Sequence, residues 1–175
     1  MAAPMNLRRP VEADHDEIVR RIDDWAGGRK ARHLLPRLWF RHFTGTSWVA
    51  TRPDGRVVGL AIGFVSPDDP KLAVLHALAV DPAHRRRGVG SALADRFARD
   101  AAGHGATTAR TTAWPDDRRM IAFLEAVGYR LVKPADGQRL YGTPAIADFD
   151  EPGDDRAELE RPLDGLGAEP HAGGG

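Results

Sequence analysis

Apolar positions recur at three- and four-residue spacing near the start of the chain. Ile18, Val19, Ile22 and Trp25 predict one amphipathic helix over 14–25, stopped by Gly27 and Gly28. A second helical stretch over 32–43 gathers Leu34, Leu35, Leu38, Trp39 and His42 on one side. The period then changes to strand-like runs at 47–51 and 57–65, joined by Arg52-Pro53-Asp54-Gly55-Arg56. Asp-Gly in a short connection between apolar runs predicts a hairpin. Pro67-Asp68-Asp69-Pro70 is another turn, and 72–80 reads as a buried strand ended by Asp81-Pro82.

Helical spacing returns over 88–102, where Val89, Ala92, Leu93, Phe97 and Ala101 share a face and Asp95 supports Arg99 one turn on. A β-branched run at 106–113 predicts a strand. Asp116 or Asp117 then caps a helix carrying Met120, Ile121, Phe123, Leu124 and Val127, which Gly128 ends. Short strands are expected at 129–132 and 157–161. No regular pattern marks 140–153, and 163–175 reads as a disordered Gly-rich tail. The order describes an α/β layer, a mixed sheet with helices packed on it, as one domain over 1–162.

Composition changes this picture little. With no cysteine, a disulfide scaffold, a thiolate metal site and a Cys-thioester mechanism are excluded. The longest apolar runs are about nine residues, under half a membrane span, and no apolar segment follows the N-terminal Arg8-Arg9. A cytoplasmic protein without membrane attachment is expected. Zero net charge hides an asymmetry: residues 145–175 carry nine acids against two arginines, so the body is correspondingly basic. A mildly basic body suits an anionic small ligand. A nucleic-acid reader is not expected, because the arginines cluster in one loop without interleaved aromatics.

That loop is the informative segment. The predicted strand 72–80 runs into Arg85-Arg86-Arg87-Gly88-Val89-Gly90, which opens straight into a helix beginning with Ser91-Ala92. Glycines let a backbone approach a ligand closely, and the unpaired N–H groups of a helix start attract a pyrophosphate. Without a ligand, the same residues read as a glycine turn with solvated arginines. A P-loop lysine is lacking after Gly90, and Leu93 stands where a dinucleotide fingerprint requires glycine.

Arg85-x-x-Gly88-x-Gly90, preceded by Leu78-Ala79-Val80-Asp81-Pro82, resembles the acetyl-CoA motif of the GNAT superfamily of N-acetyltransferases. Phe123-Leu124-Glu125-Ala126-Val127-Gly128-Tyr129 resembles the second signature of that family, and the two motifs stand in register. The resemblance covers roughly residues 6–132. It implies a GNAT-like, mostly antiparallel sheet with a splayed central strand and helices on both faces. It also implies acetyl-CoA as co-substrate, its pantetheine arm along Leu78, Ala79 and Val80, and its pyrophosphate at Arg86, Arg87, Gly88, Val89, Gly90 and Ser91, with Arg85 and Asp117 also expected to bind the cofactor. Two positions depart from the family pattern. Leu124 occupies the place of the tyrosine that protonates the leaving thiolate, and Asp117 that of an asparagine contacting pantetheine. An ionised aspartate accepts hydrogen bonds but donates none.

His76 is the candidate base. Strand alternation places its side chain on the same face as Leu78 and Val80. The run Leu75-His76-Ala77-Leu78-Ala79-Val80 resembles the matching strand of arylalkylamine N-acetyltransferases, in which a histidine helps take the amine's proton. The second histidine of that pattern is replaced by Val74. The alternative is a histidine packed and hydrogen-bonded in the core. Trp25, Trp39 and Phe40 either wall an acceptor pocket or belong to the core. No histidine pair has metal-ligand spacing, so no metal is expected. Two functions follow: an N-acetyltransferase working by direct attack of a primary amine on acetyl-CoA, or a CoA-binding regulatory module kept in play by Leu124. The acceptor class stays open among small amines, antibiotics, amino acids and proteins, as does pairing of two copies.

Overall fold

The two longest apolar runs fold as β3 (Val57–Val65) and β4 (Leu72–Val80), the centre of the sheet. The computed structural model describes residues 5–166. Outward from β3 lie β2 (Trp48–Thr51) and β1 (Asn6–Arg8), and beyond β4 lie β5 (Thr108–Ala113), β9 (Ala157–Pro162) and β6 (Arg130–Leu131). Every neighbouring pair in this seven-stranded sheet is antiparallel except β4 with β5. A separate ribbon pairs β7 (Arg139–Leu140) with β8 (Thr143–Pro144). The Asp54-Gly55 hairpin forms as expected, with Gly55 at φ +86°.

Helices cover both faces. One face carries α4 (Val89–Gly103) and α5 (Arg118–Ala126), whose Leu93, Phe97, Ala101, Ile121 and Leu124 are buried with Val58, Ala61 and Leu75 of the sheet. Gly63 has no room for a side chain, because a Cβ would run into the Phe97 ring and the Val74 carbonyl. On the other face, Ile18, Ile22, Trp25, Leu35 and Phe40 bury against Val57, Leu60 and Ile62.

The helices on that second face are more broken than their periodicity predicts. The span 14–25 divides into α1 (Asp14–Val19) and α2 (Ile22–Trp25). Between them Arg21 leaves the helical region, and its guanidinium reaches the Val57 carbonyl at 3.0 Å and Asp81 at 2.6 Å. The span 32–43 becomes a 3-10 turn, Arg32–Leu34, and α3 (Leu38–His42). Pro36, which lacks an N–H and restricts its predecessor, separates them.

Two further differences concern the ends of the chain. β1 was not expected, because a three-residue edge strand carries no usable period. Leu163, expected to begin a disordered tail, is 2% exposed and donates its N–H to the Thr107 carbonyl. The rest of that expected tail beyond residue 166 lies outside the described residues. Among the described residues no helix is long and apolar enough to cross a membrane.

Candidate active site

The site begins where the parallel pair comes apart. β4 and β5 are in register only from Leu72–Thr108 to Leu75–Thr111, and Thr111 Oγ1 closes the ladder by donating to the Leu75 carbonyl at 2.8 Å. Beyond that point β4 follows β3, and β5 follows β9. The cause lies in the pairing with β3: Ile62 opposes Ala77 but Gly63 opposes Leu75, so His76 is an extra residue, a β-bulge. A bulge bends its strand and increases the local twist, which turns β4 away from β5. The edge of β4 from Ala77 to Val80 is thereby left without a strand partner on the β5 side.

The same bulge corrects the orientation expected of His76. Leu78 and Val80 pack with the α4–α5 face, whereas Ala77 and Ala79 pack with the α1–α3 face. His76 also lies on the α1–α3 face, with Nε2 2.6 Å from the Leu34 carbonyl and its ring stacked on Trp39 at 4.3 Å. Two adjacent residues, His76 and Ala77, therefore share a face. Simple alternation fails there.

Two cavities meet along β4. One, about 580 Å³, runs from Leu78, Ala79 and Val80 past Arg85, Arg86 and Gly88 to Val89, Gly90 and Ser91. The other, about 340 Å³, holds His76, Trp114, Asp117 and Arg156. Leu78, Ala79, Trp25, Arg119 and Met120 line both. Of the residues expected to bind the cofactor or take the proton, only Arg87 lines neither cavity; it is exposed on the loop, and of the three candidate wall aromatics Trp25 alone lines them.

At the loop end, α4 starts without a side-chain cap, and its first intrahelical bond runs from the Ala92 N–H to the Gly88 carbonyl. The N–H groups of Val89, Gly90 and Ser91 therefore precede the helical ladder, where the macrodipole favours an anion. Arg86 at φ +59° and Gly88 at φ +79° give the loop its turn, and a Cβ on Gly88 would meet nothing within 4 Å. That open, cationic helix start fits a pyrophosphate. Arg85 lines the same cavity and also ties the loop to the sheet: it donates to the Val80 carbonyl at 3.1 Å and to the Trp25 carbonyl at 2.5 Å. Burial, then the charge of Arg119, lowers its guanidinium from the ordinary value.

At the other end, a carbonyl can only accept, so the Leu34 contact places the proton of neutral His76 on Nε2 and leaves the Nδ1 lone pair as the basic atom. Burial lowers its pKa below the ordinary value. The Leu34 carbonyl opposes this shift, Arg156 adds to it and Asp150 opposes it. Asp117 caps α5 by accepting from the Met120 N–H at 3.0 Å, so its carboxylate is engaged within the protein. Trp25 lines both cavities, Trp39 stacks on His76, and Phe40 belongs to the core.

Neither residue of the second signature replaces the missing acid. Leu124 is 1% exposed and packed with Ile121 and the sheet. Tyr129 is fully buried, its hydroxyl has no partner among the described residues, and burial pushes its pKa far above the ordinary range. Leu124→Ala is therefore expected to cost about 2–5 kcal/mol in urea unfolding through the cavity it leaves. Turnover per folded molecule should stay within a few-fold; a selective loss of turnover at unchanged stability would contradict a core role. Among the described residues no cluster of three His, Asp or Glu is placed to hold a metal ion.

Sequence reasoning missed Arg119, Met120, Trp114, Asp150 and Arg156, which complete the cavities from α5, the end of β5 and the segment before β9. None carries a local motif. Only the long-range pairing of β5 with β9 brings Arg156 to the site.

A splayed strand pair leading to a glycine-opened helix start is the arrangement that the resemblance to the N-acetyltransferases implies. The sequence profile of the Acetyltransferase (GNAT) family matches residues 11–129, and the chain belongs to that family. It is an acetyl-CoA-dependent N-acetyltransferase acting on a primary amine. The chain is 38% identical over 148 residues to an L-2,4-diaminobutyric acid acetyltransferase of Nocardia farcinica, covering 85% of this chain and 76% of that protein. Among solved structures, a putative GNAT-family acetyltransferase from Desulfovibrio desulfuricans superposes with a TM-score of 0.72 at 17% identity, covering 91% of this chain and 99% of that one. A diaminobutyrate acetyltransferase from Paenibacillus lautus, in complex with L-2,4-diaminobutyric acid and coenzyme A, superposes with a TM-score of 0.65 at 21% identity, covering 93% and 97%. These superpositions establish the shared fold.

Proposed function

We propose that the chain acetylates L-2,4-diaminobutyrate or a closely similar diamino acid. The observation that carries this reading is the 38% identity, over most of the chain, to a relative bearing that activity in its name. The cavity at His76 supports it: Arg110 and Arg156 stand among Asp150 and Glu158, a lining of both signs suited to a small zwitterion.

Acetyl-CoA supplies the acetyl group as an activated thioester. The Arg86–Ser91 loop receives its pyrophosphate, and the open edge of β4 from Leu78 to Val80 lies alongside the pantetheine arm. Backbone N–H groups on that edge polarise the thioester carbonyl. An alkylammonium of pKa ~10.4 is neutral in only about one molecule in 2,500 at pH 7, so His76 Nδ1 takes its proton, directly or through a water. The free amine attacks the carbonyl carbon. The C–N bond forms as the C–S bond breaks, and the second proton of the attacking nitrogen passes through water to the departing thiolate, since neither Leu124 nor Tyr129 supplies one.

The test is a panel of acceptors with acetyl-CoA: L-2,4-diaminobutyrate, L-ornithine, L-lysine, 1,3-diaminopropane, an aminoglycoside and a peptide N-terminus. CoA release is read with a thiol reagent, to which the cysteine-free protein contributes no background, and the product by mass. Preferred turnover of diaminobutyrate with one acetyl group added is expected. Preference for the aminoglycoside or the peptide would replace this reading, and absence of turnover with every acceptor would favour a CoA-binding module.

A further inference from the structure

We infer that Arg156 is the residue that recognises the acceptor through its carboxylate. The inference rests on the diamino acid reading above and deepens it.

Arg156 stands just ahead of β9, where its backbone N–H and carbonyl both pair with Ile146, at 2.9 and 2.8 Å. Its side chain is only 6% exposed, lies against the Trp114 ring with the guanidinium carbon 4.6 Å from the ring centre, and lines the same cavity as His76. A buried cation is costly unless anions meet it. Asp154 does so at one nitrogen, 2.8 Å from Nη2. A guanidinium carries five N–H donors in a planar fork, so one carboxylate on Nη2 does not exhaust it, and a second carboxylate can dock bidentately.

The other arginines of this cavity are placed differently. Arg110 is engaged by Glu160 through both Nε and Nη2. Arg119 also borders the loop cavity and acts on Arg85, which puts its charge toward the cofactor end. Arg156 is the arginine whose charge is felt at His76, and it is held rigidly by its backbone bridge and by Trp114. A fixed guanidinium beside an aromatic wall, a short way from the proposed base, can orient an amino acid so that one amine meets Nδ1 of His76.

The experiment compares two acceptors that share the same pair of amines, L-2,4-diaminobutyrate and its carboxylate-free counterpart 1,3-diaminopropane, in the unaltered protein, Arg156→Lys and Arg156→Gln. Arg156→Gln should lower kcat/KM for diaminobutyrate about 10²-fold, mainly through KM, while 1,3-diaminopropane changes by less than about threefold. Arg156→Lys should recover part of the loss. Equal losses on both acceptors, or no loss on diaminobutyrate, would overturn the inference. Should the variants fail to fold, the unaltered protein still decides: at least a tenfold fall in kcat/KM on the diaminobutyrate methyl ester is expected, and equal turnover of acid and ester would overturn it. If diaminobutyrate itself is not acetylated, the substrate reading fails, and the same comparison is made with the amino acid the panel selects and its decarboxylated form. A panel that selects only acceptors lacking a carboxylate would overturn the role of Arg156 while leaving the acetyltransferase intact.

Discussion

Gly88→Asp is expected to abolish acetyl-CoA binding in a protein that still folds. For the unaltered chain, acetyl-CoA at 100 times its Kd adds about 2.7 kcal/mol of stability, a rise in melting temperature of about 5–11 °C at this size. The variant should lose that rise and show no binding by calorimetry at millimolar ligand. Its carboxylate would stand at the uncapped start of α4, where the pyrophosphate is proposed to meet the helix N–H groups, and two anions would then compete for one site. The fold should tolerate the change, because a Cβ at this position meets nothing within 4 Å. The cost is the left-handed backbone at φ +79°, about 1–2 kcal/mol for a residue with a side chain. Gly90→Asp is a poorer probe of the same loop. A Cβ there comes within 3.1 Å of the Phe123 ring, so lost packing and lost ligand would be confounded. Unchanged CoA affinity in folded Gly88→Asp would show that the phosphates bind elsewhere.

The elements that form the proposed cofactor half of this site were legible in the sequence because they are local. Strand β4, the Asp81-Pro82 stop, the glycine-opened loop and the start of α4 follow one another within twenty residues. Each leaves a mark in hydrophobic period or turn chemistry. The acceptor half was not legible, because long-range pairing assembles it. Arg156 and Asp150 come from a polar stretch without period, brought to the cavity by the Ile146–Arg156 bridge and the pairing of β9 with β5. His76 shows the limit most clearly. Alternation is a rule for regular strands, and one extra residue reverses the face of everything on one side of it. The available hint was Gly63, a glycine inside the partner strand at the shift in register, since such glycines often accompany a bulge or a close approach. Here it is both. Arg21 and Pro36 broke the predicted helices for different reasons. The proline is visible in the sequence, whereas the reach of Arg21 to Asp81 is not.

The remaining large effect is at His76, and its corrected orientation sharpens what the substitution should do. On the α1–α3 face the ring donates from Nε2 to the Leu34 carbonyl and stacks on Trp39, which leaves Nδ1 as the basic atom. Burial holds the imidazole neutral to below its ordinary pKa; the charge of Arg156 reinforces this, while the Leu34 carbonyl and Asp150 work against it. Turnover through a neutral base should therefore persist at pH 6.5 and fall only as pH drops through the lowered pKa. The same shift bears on stability. The unfolded chain takes up the proton first, so stability should decline as pH falls from about 6.5 to the lowered value. His76→Gln keeps an amide donor for the Leu34 carbonyl but has no titrating group and stacks less well on Trp39. It should reduce kcat about 10²-fold, leave acetyl-CoA affinity within a few-fold, and lose both the acidic limb and the acid-dependent part of the stability curve. The rise in rate at higher pH that comes from the amine's own ionisation should survive in the variant. A folded His76→Gln with near-normal turnover and a changed melting temperature would reduce His76 to a packing residue. The proton would then pass from the amine directly to water in the groove.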